Sequence, residues 1–398
     1  MAGGPDAIII GAGILGLATA YHILQGNCAL NLLILERLKG PGRANTAKSA
    51  AAYRDMFSSP VNRHLSRGSI AFYEEVQAQG VPIGLKRLGY LWLLTAAQRE
   101  RQRQPLNAMA RAGVKFAILE LPELTRRLPE LRPGDISAGI WGRNCGILNP
   151  NQLCGYYERE IQSRGGRFEY GREVTGFLRD PSGRIRGVRV GDHEIPAPTV
   201  IVATGAWLGQ TLARAGLEAP VVPRKRQLFA ISAREGPLRR LLETPGFNDY
   251  NLLPFTIIPG GAYLRPAPAS FILGFANEDQ PPGLEDQPVA EEDFFENRIR
   301  PQIEPYFPAF QGRAPEYAWA GHYADHLADR TPLVDRLEGA IVVGGDSGSG
   351  IMKADSLGRI AAARFFGKDQ VELGDGENFQ VTALGLRERA VPQEDFVI

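Results

Sequence analysis

The chain contains little lysine, little cysteine and almost no net charge. Seven of its 45 basic residues are Lys and the other 38 are Arg, and 44 acidic residues leave a formal net charge of +1. This balance argues against a nucleic-acid-binding protein, which usually carries a strongly basic surface. No run approaches 18 consecutive apolar residues, so we predict no membrane-spanning segment.

The three cysteines, Cys28, Cys145 and Cys154, are too few and too widely spaced for a disulfide framework or a zinc site. We therefore expect free thiols, a reducing compartment and no bound metal. The first residues, 1–6, lack the basic region of a secretory signal. These absences predict a cytoplasmic protein, which could also associate peripherally with the inner face of the membrane.

The composition is that of a globular protein, with 398 residues of which 44% are hydrophobic and 22% charged. A chain of this length is expected to form about two domains. Four short apolar runs are typical of buried parallel strands, although they are scattered along the chain: 7–10, 30–35, 199–203 and 340–343. Residues 96–130 are predicted to be helical with breaks at prolines, and 224–275 to be strand-rich with a hairpin turn at Gly260-Gly261.

This arrangement predicts an α/β fold with a discontinuous Rossmann-like nucleotide domain, interrupted by a second α+β domain built on a mostly antiparallel sheet. The predicted nucleotide domain comprises residues 1–85, 146–222 and 318–398. The predicted second domain, which would bind the substrate, comprises residues 86–145 and 223–317.

A glycine motif follows the first predicted strand and opens a helix. Gly11 permits a tight turn, Gly13 allows a pyrophosphate to approach the backbone, and Gly16 allows close packing of helix and strand. Glu36 ends the next strand, where a carboxylate can accept bonds from ribose hydroxyls. The motif therefore predicts an adenine dinucleotide, either FAD or NAD.

A second glycine-rich loop, Gly344 to Gly350, joins the last apolar strand to a helix. Two such loops at opposite ends of one chain favour FAD, because its isoalloxazine ring lies far from its pyrophosphate. The N-terminus of the last helix would then stabilise negative charge on the reduced flavin.

With these motifs, the chain resembles the FAD-dependent oxidoreductases of the D-amino-acid oxidase, glycine oxidase and sarcosine oxidase family. The resemblance covers nearly the full length and depends on the first glycine motif with Glu36-Arg37, on residues 202–207, and on Thr331 to Asp335 followed by residues 345–350. It implies a flavin domain, a substrate domain that roofs the isoalloxazine, and hydride transfer to flavin N5 from a carbon bearing an amine.

The resemblance also implies positions for the cofactor. The implied cofactor-binding residues are Gly11, Gly13, Ile14, Leu15, Gly16, Glu36, Arg37, Ser49, Ala50, Ala51, Val174, Ala203, Gly205, Trp207, Gly348, Ser349, Gly350, Ile351, Met352 and Lys353. Four residues are implied at the substrate. Arg54 would bind a substrate carboxylate, Tyr323 would lie near the substrate, and His322 and Tyr250 are further candidates.

The sequence departs from the sarcosine-oxidase pattern at three positions. Gly321 replaces the cysteine that bonds covalently to flavin, so we expect non-covalent FAD. Ile272 replaces a lysine that helps oxygen accept electrons, which favours a dehydrogenase over an oxidase. Met352 replaces a carboxylate-binding lysine, as in the dye-linked L-proline dehydrogenases, which the chain resembles most.

These features predict an FAD-dependent dehydrogenase that oxidises the C–N bond of a small amino acid of the L-proline or N-methylglycine type. The electrons would pass to a quinone, a dye-like acceptor or a partner flavoprotein, and a homo- or hetero-oligomer is possible. Three alternatives stay open: a 2-hydroxy-acid dehydrogenase of the 2-hydroxyglutarate type with His322 as base, an amino-acid oxidase that uses oxygen, and a flavin-bearing assembly protein without turnover.

Overall fold

The computed structural model describes residues 4–387, 389 and 391–396. The strands of this part are β1 (Ala7–Ile10), β2 (Leu32–Glu36), β3 (Ala52–Tyr53), β4 (Tyr90–Thr95), β5 (Phe116–Glu120), β6 (Ile136–Gly142), β7 (Gly146–Ile147), β8 (Arg167–Tyr170), β9 (Gly176–Arg179), β10 (Ile185–Val190), β11 (His193–Pro196), β12 (Thr199–Val202), β13 (Val221–Ser232), β14 (Phe255–Ile257), β15 (Ala262–Ala267), β16 (Ser270–Phe275), β17 (Tyr317–His326), β18 (Leu333–Leu337), β19 (Ala340–Gly344), β20 (Gln370–Glu372) and β21 (Asn378–Gln380). The helices are α1 (Ile14–Gly26), α2 (Pro60–Ala78), α3 (Ala96–Arg101), α4 (Arg103–Arg111), α5 (Leu121–Arg127), α6 (Pro150–Ser163), α7 (Leu208–Ala213), α8 (Gly236–Leu242), α9 (Arg300–Ile303) and α10 (Gly350–Phe365).

The first layer is a six-stranded sheet in the order β18-β19-β12-β1-β2-β8. Its strands pair in parallel except β18, which is antiparallel to β19. All four apolar runs predicted to be parallel strands are in this sheet, and β1 lies between β2 and β12. The buried faces of these strands explain their uninterrupted apolar sequences.

Helices cover one face of this sheet and a small sheet covers the other. The helical side buries a core shared by α1, α2, α6 and α10. Here α10 crosses α1 so closely that a Cβ on Gly358 would lie 2.5 Å from the carbonyl carbon of Ala18. The three-stranded sheet β11-β10-β9 packs over the opposite face. This layering fixes the N-terminal ends of α1 and α10 at one edge of the sheet.

The second layer is an eight-stranded sheet in the order β17-β13-β16-β15-β14-β4-β6-β5. Its strands are antiparallel neighbours except β14 and β4, which run parallel. The predicted turn at Gly260-Gly261 connects β14 to β15. A parallel Rossmann-like sheet with a mostly antiparallel second sheet confirms the predicted fold class.

The structure differs from the sequence-based expectations in two segments. Residues 96–130 are not helical throughout, because Phe116–Glu120 forms the edge strand β5. The last helix begins at Gly350, so the final glycine of the predicted loop Gly344 to Gly350 is already in its first turn. The domain boundaries stay a prediction, but β17, which contains the predicted boundary at residue 318, belongs to the eight-stranded sheet.

Candidate functional site

One long cavity runs between the two sheets, from the glycine turn after β1 to strands β13, β15 and β17. It contains most of the residues that the sequence predicts for the cofactor. The predicted cofactor and substrate residues that line it are Gly11, Gly13, Ile14, Leu15, Glu36, Arg37, Ser49, Ala50, Val174, Ala203, Gly205, Trp207, His322, Tyr323, Gly348, Gly350 and Ile351.

Seven predicted residues do not line this cavity: Gly16, Ala51, Arg54, Tyr250, Ser349, Met352 and Lys353. Gly16 has a packing role, since a Cβ there would lie 2.0 Å from the carbonyl oxygen of Gly11. Met352 is in the core between the helices and the sheet. Tyr250 is 43% exposed, and its ring is 5.5 Å from Nζ of Lys86.

The turn between β1 and α1 has the shape and charge needed for a diphosphate. Gly11 has a φ of +103°, and a Cβ there would lie 2.6 Å from the carbonyl oxygen of Ala203. At the N-cap of α1, Gly13 offers no capping side chain, and the first turn contains no acidic residue. The N–H groups at this end and the helix dipole therefore favour an anion.

Glu36 is held where an adenosine ribose would be expected. Its Oε2 accepts a hydrogen bond from the backbone N–H of Ala12 and its Oε1 from that of Leu38, both at 2.8 Å. Each carboxylate oxygen can still accept a hydroxyl, because it has two lone pairs. The side chain is therefore oriented before a ligand binds.

Several buried polar atoms along the cavity lack a partner among the described residues. They include Oγ1 of Thr204, Nε1 of Trp207 and Nδ1 of His322. The guanidinium of Arg37 lies over the Trp207 ring, with Cζ 4.1 Å from the centroid. Buried polar atoms without partners are costly, so this wall fits a polar ligand such as a dinucleotide.

His322 has a defined tautomer in this setting. Its Nε2 accepts a hydrogen bond from the backbone N–H of Glu285 at 3.2 Å, so the ring proton is assigned to Nδ1. Burial lowers the pKa of His322, which keeps the ring neutral. The free ring atom that lines the cavity is therefore a donor.

The opposite end of the cavity is built around the N-terminus of α10. Gly348 has a φ of +80°, and a Cβ there would lie 2.2 Å from the Tyr323 ring. The N-cap, Ser349, makes no side-chain capping bond, and no acidic residue follows in the first turn. Before the helix, the half-buried Asp346 lines the cavity, and desolvation raises its pKa to about 6.

The structure adds lining residues that the sequence analysis did not single out: Asn45, Thr46, Lys48, Arg226, Leu228 and Tyr263. Thr46 contacts the first turn of α1, where its Oγ1 accepts the N–H of Ile14 at 3.3 Å, but the two residues are 32 positions apart and no local pattern indicates the contact. Arg226, Leu228 and Tyr263 had no local signal either, because they reach the cavity only through the pairing of β13, β15 and β16.

The loss of lysine at Ile272 does not leave this region without positive charge. Arg265 is the cross-strand partner of Ile272 and donates Nε–H to the carbonyl oxygen of Ala50 at 2.6 Å. Burial lowers the pKa of Arg265 to about 10. Lys48 and Arg226 line the cavity itself. Electrostatics at Ile272 alone therefore do not distinguish a dehydrogenase from an oxidase.

Arg54 is buried beside the C-terminal segment. One of its guanidinium nitrogens donates to the carbonyl oxygens of Met56 and Phe396, and its Cζ lies 4.1 Å from the centroid of the Phe57 ring. Burial lowers the pKa of Arg54, and Glu394 opposes that effect. Its carboxylate-binding role stays a prediction, which would require a ligand to reach it past Phe396.

The cavity thus provides a glycine turn suited to an anion, a carboxylate suited to ribose hydroxyls, unpartnered polar atoms and a second helix N-terminus, and these features fit FAD. A family model described as FAD dependent oxidoreductase (DAO) matches residues 6–364. The chain belongs to the DAO family of FAD-dependent oxidoreductases.

Two relatives of known sequence align with most of this chain. The FAD-dependent oxidoreductase domain-containing protein 1 of Bos taurus is 28% identical over 409 residues, covering 90% of this chain and 80% of the relative. The glycine oxidase of Pseudomonas putida is 23% identical over 330 residues, covering 79% and 81%. These similarities extend across both sheets.

Solved structures share the fold of this DAO-family chain. The L-proline dehydrogenase of P. horikoshii superimposes with a TM-score of 0.80 at 22% identity, covering 92% of this chain and 95% of the other. The glycine oxidase of Geobacillus kaustophilus gives 0.79 at 18% identity, covering 97% and 99%. At these identities the likeness establishes the fold.

Two further features lie outside the cavity. Within the described residues, no helix combines the length and the apolar character needed to cross a bilayer. His64, Asp375 and Glu377 bring potential metal-ligand atoms within 4.8 Å of one another, and His64 Nε2 is 3.3 Å from Asp375 Oδ1. The pairing with Asp375 accounts for the position of His64.

Proposed function

We propose that this DAO-family protein oxidises the C–N bond of a small amino acid, of the L-proline or N-methylglycine type, and passes the electrons to a quinone or a dye-like acceptor. The observation that supports the proposal is the set of residues that line the cavity beyond the positions expected to bind the cofactor. There the walls are the aromatic rings of Tyr263 and Tyr323, the side chain of Leu228 and the guanidinium of Arg226. Such a pocket suits a compact ligand with an apolar body and an acid group.

FAD, held non-covalently by the residues around Gly11, Glu36 and Trp207, would supply the hydride acceptor. The protein's own part is to bind and orient the substrate and to exclude water. Burial raises the pKa of Tyr263 and of Tyr323, so both hydroxyls stay protonated. A neutral amine needs no strong base for hydride transfer, and the four residues named above, Arg226, Leu228, Tyr263 and Tyr323, supply none.

The alternative of a 2-hydroxy-acid dehydrogenase needs a base to take the hydroxyl proton, and His322 was the candidate. Its Nε2 already accepts the N–H of Glu285, and its Nδ1 carries the proton. Its ring is 6.1 Å from that of Trp207, on the side where the ribose and pyrophosphate are expected. These contacts favour the amine substrate.

The proposal is tested by adding a panel of amino acids and 2-hydroxy acids to the FAD-loaded protein without oxygen and recording the flavin absorbance. We expect a small amino acid, L-proline or an N-methylglycine among them, to bleach the flavin. Readmitted air should restore the colour slowly, and a soluble quinone should restore it quickly.

Other outcomes would replace this proposal. Bleaching by a hydroxy acid alone would establish the alternative substrate class. Rapid reoxidation by air would indicate an amino-acid oxidase. A flavin that no compound in the panel bleaches would indicate a protein whose flavin serves assembly or structure.

A further inference from the structure

Arg226 is a buried cation with unused hydrogen-bond donors. Its side chain lines the cavity and the residue is 8% exposed. Only one nitrogen, Nη1, donates, to the carbonyl oxygens of Lys225 at 3.2 Å and Asn277 at 3.0 Å. The other two nitrogens, Nε and Nη2, are buried and have no hydrogen-bond partner in the part of the chain that the structure describes.

The neighbouring basic residues on β13 have carboxylate partners at hydrogen-bond distance, whereas Arg226 has only a longer ion pair. Arg224 donates Nε–H to Oδ2 of Asp325 at 3.0 Å. Lys225 forms ion pairs with Glu285 at 3.0 Å and Glu291 at 2.8 Å. Among the described residues, the carboxylate nearest to Arg226 is that of Asp325, at 3.9 Å from Nη2, and its Oδ2 already accepts Nε–H of Arg224.

The two unused nitrogens are those that bind a carboxylate side-on. Nε–H and one Nη–H of a guanidinium point in the same direction and match the two oxygens of a carboxylate. A buried charge without such a partner is strongly unfavourable, so this site gains most when an anion enters.

We propose that Arg226 binds the carboxylate of the substrate through Nε and Nη2. This inference rests on the proposed function, since it names the group by which that substrate is recognised. The Tyr323 ring packs against the guanidinium, with its centroid 5.0 Å from Cζ. Both residues line the cavity, so a carboxylate that reaches Nε and Nη2 would also contact the Tyr323 ring.

Arg54 differs from Arg226 in its position relative to the cavity. Arg54 does not line the cavity, and its Nη1 donates to the backbone carbonyl oxygen of Phe396 at 3.3 Å. Of the two arginines, Arg226 is therefore the one that lies at the wall of the cavity.

The test compares Arg226→Gln and Arg226→Lys with Arg54→Gln and with Lys225→Gln. The last variant is the matched control, because it removes a charge from the adjacent position of the same strand outside the cavity. Two properties are measured on FAD-loaded protein. One is the preference for the best amino acid over its primary amide, as a ratio of kcat/KM. The other is the dissociation constant of acetate, followed by the change it causes in flavin absorbance.

We expect Arg226→Gln to lower the acid-over-amide preference and to weaken acetate binding, each by about 10- to 100-fold. Arg226→Lys should fall between this variant and the wild type, because it keeps the charge and loses the fork. Lys225→Gln and Arg54→Gln should retain both properties. FAD content, measured in each sample, confirms that the variants fold.

Three results would overturn the assignment. They are unchanged properties in both Arg226 variants, loss of both properties in Arg54→Gln instead, and equal losses in Arg226→Gln and Lys225→Gln. If no amino acid bleaches the flavin, the proposed function fails, whereas the acetate measurement still decides whether Arg226 binds a carboxylate.

Discussion

At the scale of single residues, Lys353 is an amine buried in the protein interior. Lys353 is 1% exposed, in the first turn of α10. Its Nζ donates to Oδ1 of Asn62 and Oγ of Ser349, both at 2.8 Å, and lies 4.8 Å from the centroid of the Phe57 ring. Burial lowers the pKa of Lys353 to about 7. The lysine therefore ties α10 to α2 at an electrostatic cost.

That cost predicts a pH-dependent stability. Between pH 7 and 10.5 the unfolded chain holds a proton on Lys353 that the native protein has lost, so native stability should rise with pH in this window. The Lys353→Met variant lacks this contribution. Its stability relative to the wild type should fall by about 2 kcal/mol between pH 7 and pH 9. Urea unfolding at pH 7, 8 and 9 measures the difference.

An exposed lysine just beyond the same helix provides the control for this experiment. Lys368→Met should leave the pH dependence of unfolding equal to that of the wild type. Stability curves of wild type and Lys353→Met that stay parallel across the window would show that Lys353 keeps its proton in the native protein.

At the scale of elements, the C-terminal segment 391–396 packs across the start of α2. The Glu394 carboxylate accepts the backbone N–H and the hydroxyl of Ser58, each at 2.8 Å, and the N–H of Ser59 at 3.2 Å. Phe396 packs edge-on against Trp92 at a centroid distance of 4.9 Å. This segment closes the interior between the two layers beside Arg54.

The Phe396→Ala variant should release the segment 391–396 from the start of α2. Loss of a buried phenylalanine costs about 3–5 kcal/mol, which exceeds the stability expected of a short terminal segment. We expect faster deuterium uptake in residues 391–396 and 54–59, with unchanged uptake in β1 and α1. The control is the exposed Gln393→Ala. Equal uptake in Phe396→Ala and wild type would mean that Glu394 holds the segment without its aromatic anchor.

Elements with a strong local pattern could be predicted, and those that depend on distant contacts could not. The strand Ala7–Ile10 and the glycine turn after it are encoded within a few residues. The strand Phe116–Glu120 was missed because it is short and lies at the edge of the sheet, with Leu119 buried and Ile118 44% exposed, so apolar residues occur on both of its faces. The position of Phe396 depends on contacts with residues more than 300 positions earlier, for which no local pattern exists.

At the scale of the whole molecule, the cavity belongs to neither sheet alone. Gly11 and Glu36 come from the six-stranded sheet, whereas Arg226 and Tyr263 come from the eight-stranded one. The dinucleotide end could be predicted because its residues form a compact motif. Arg226 could not, because the sequence places it among three consecutive basic residues and only the fold reveals which two are paired.

A ligand that bridges both sheets should stabilise the whole protein, and here FAD is expected to do so without a covalent bond. At the position where relatives of the sarcosine-oxidase type carry a flavin-linked cysteine, Gly321 has no thiol. Cys145 and Cys154 are buried and do not line the cavity. All flavin should therefore pass an ultrafiltration membrane after denaturation in urea.

Because FAD is expected to bind without a covalent bond, the stability of the native protein should depend on the concentration of free FAD. Raising it to 100 times the dissociation constant should stabilise the native protein by about 2.7 kcal/mol relative to the apoprotein. Thermal unfolding over a series of FAD concentrations measures this effect, and NAD serves as the control ligand. Flavin that stays with the polypeptide in urea, together with a midpoint independent of added FAD, would require a covalent link formed elsewhere in the cavity.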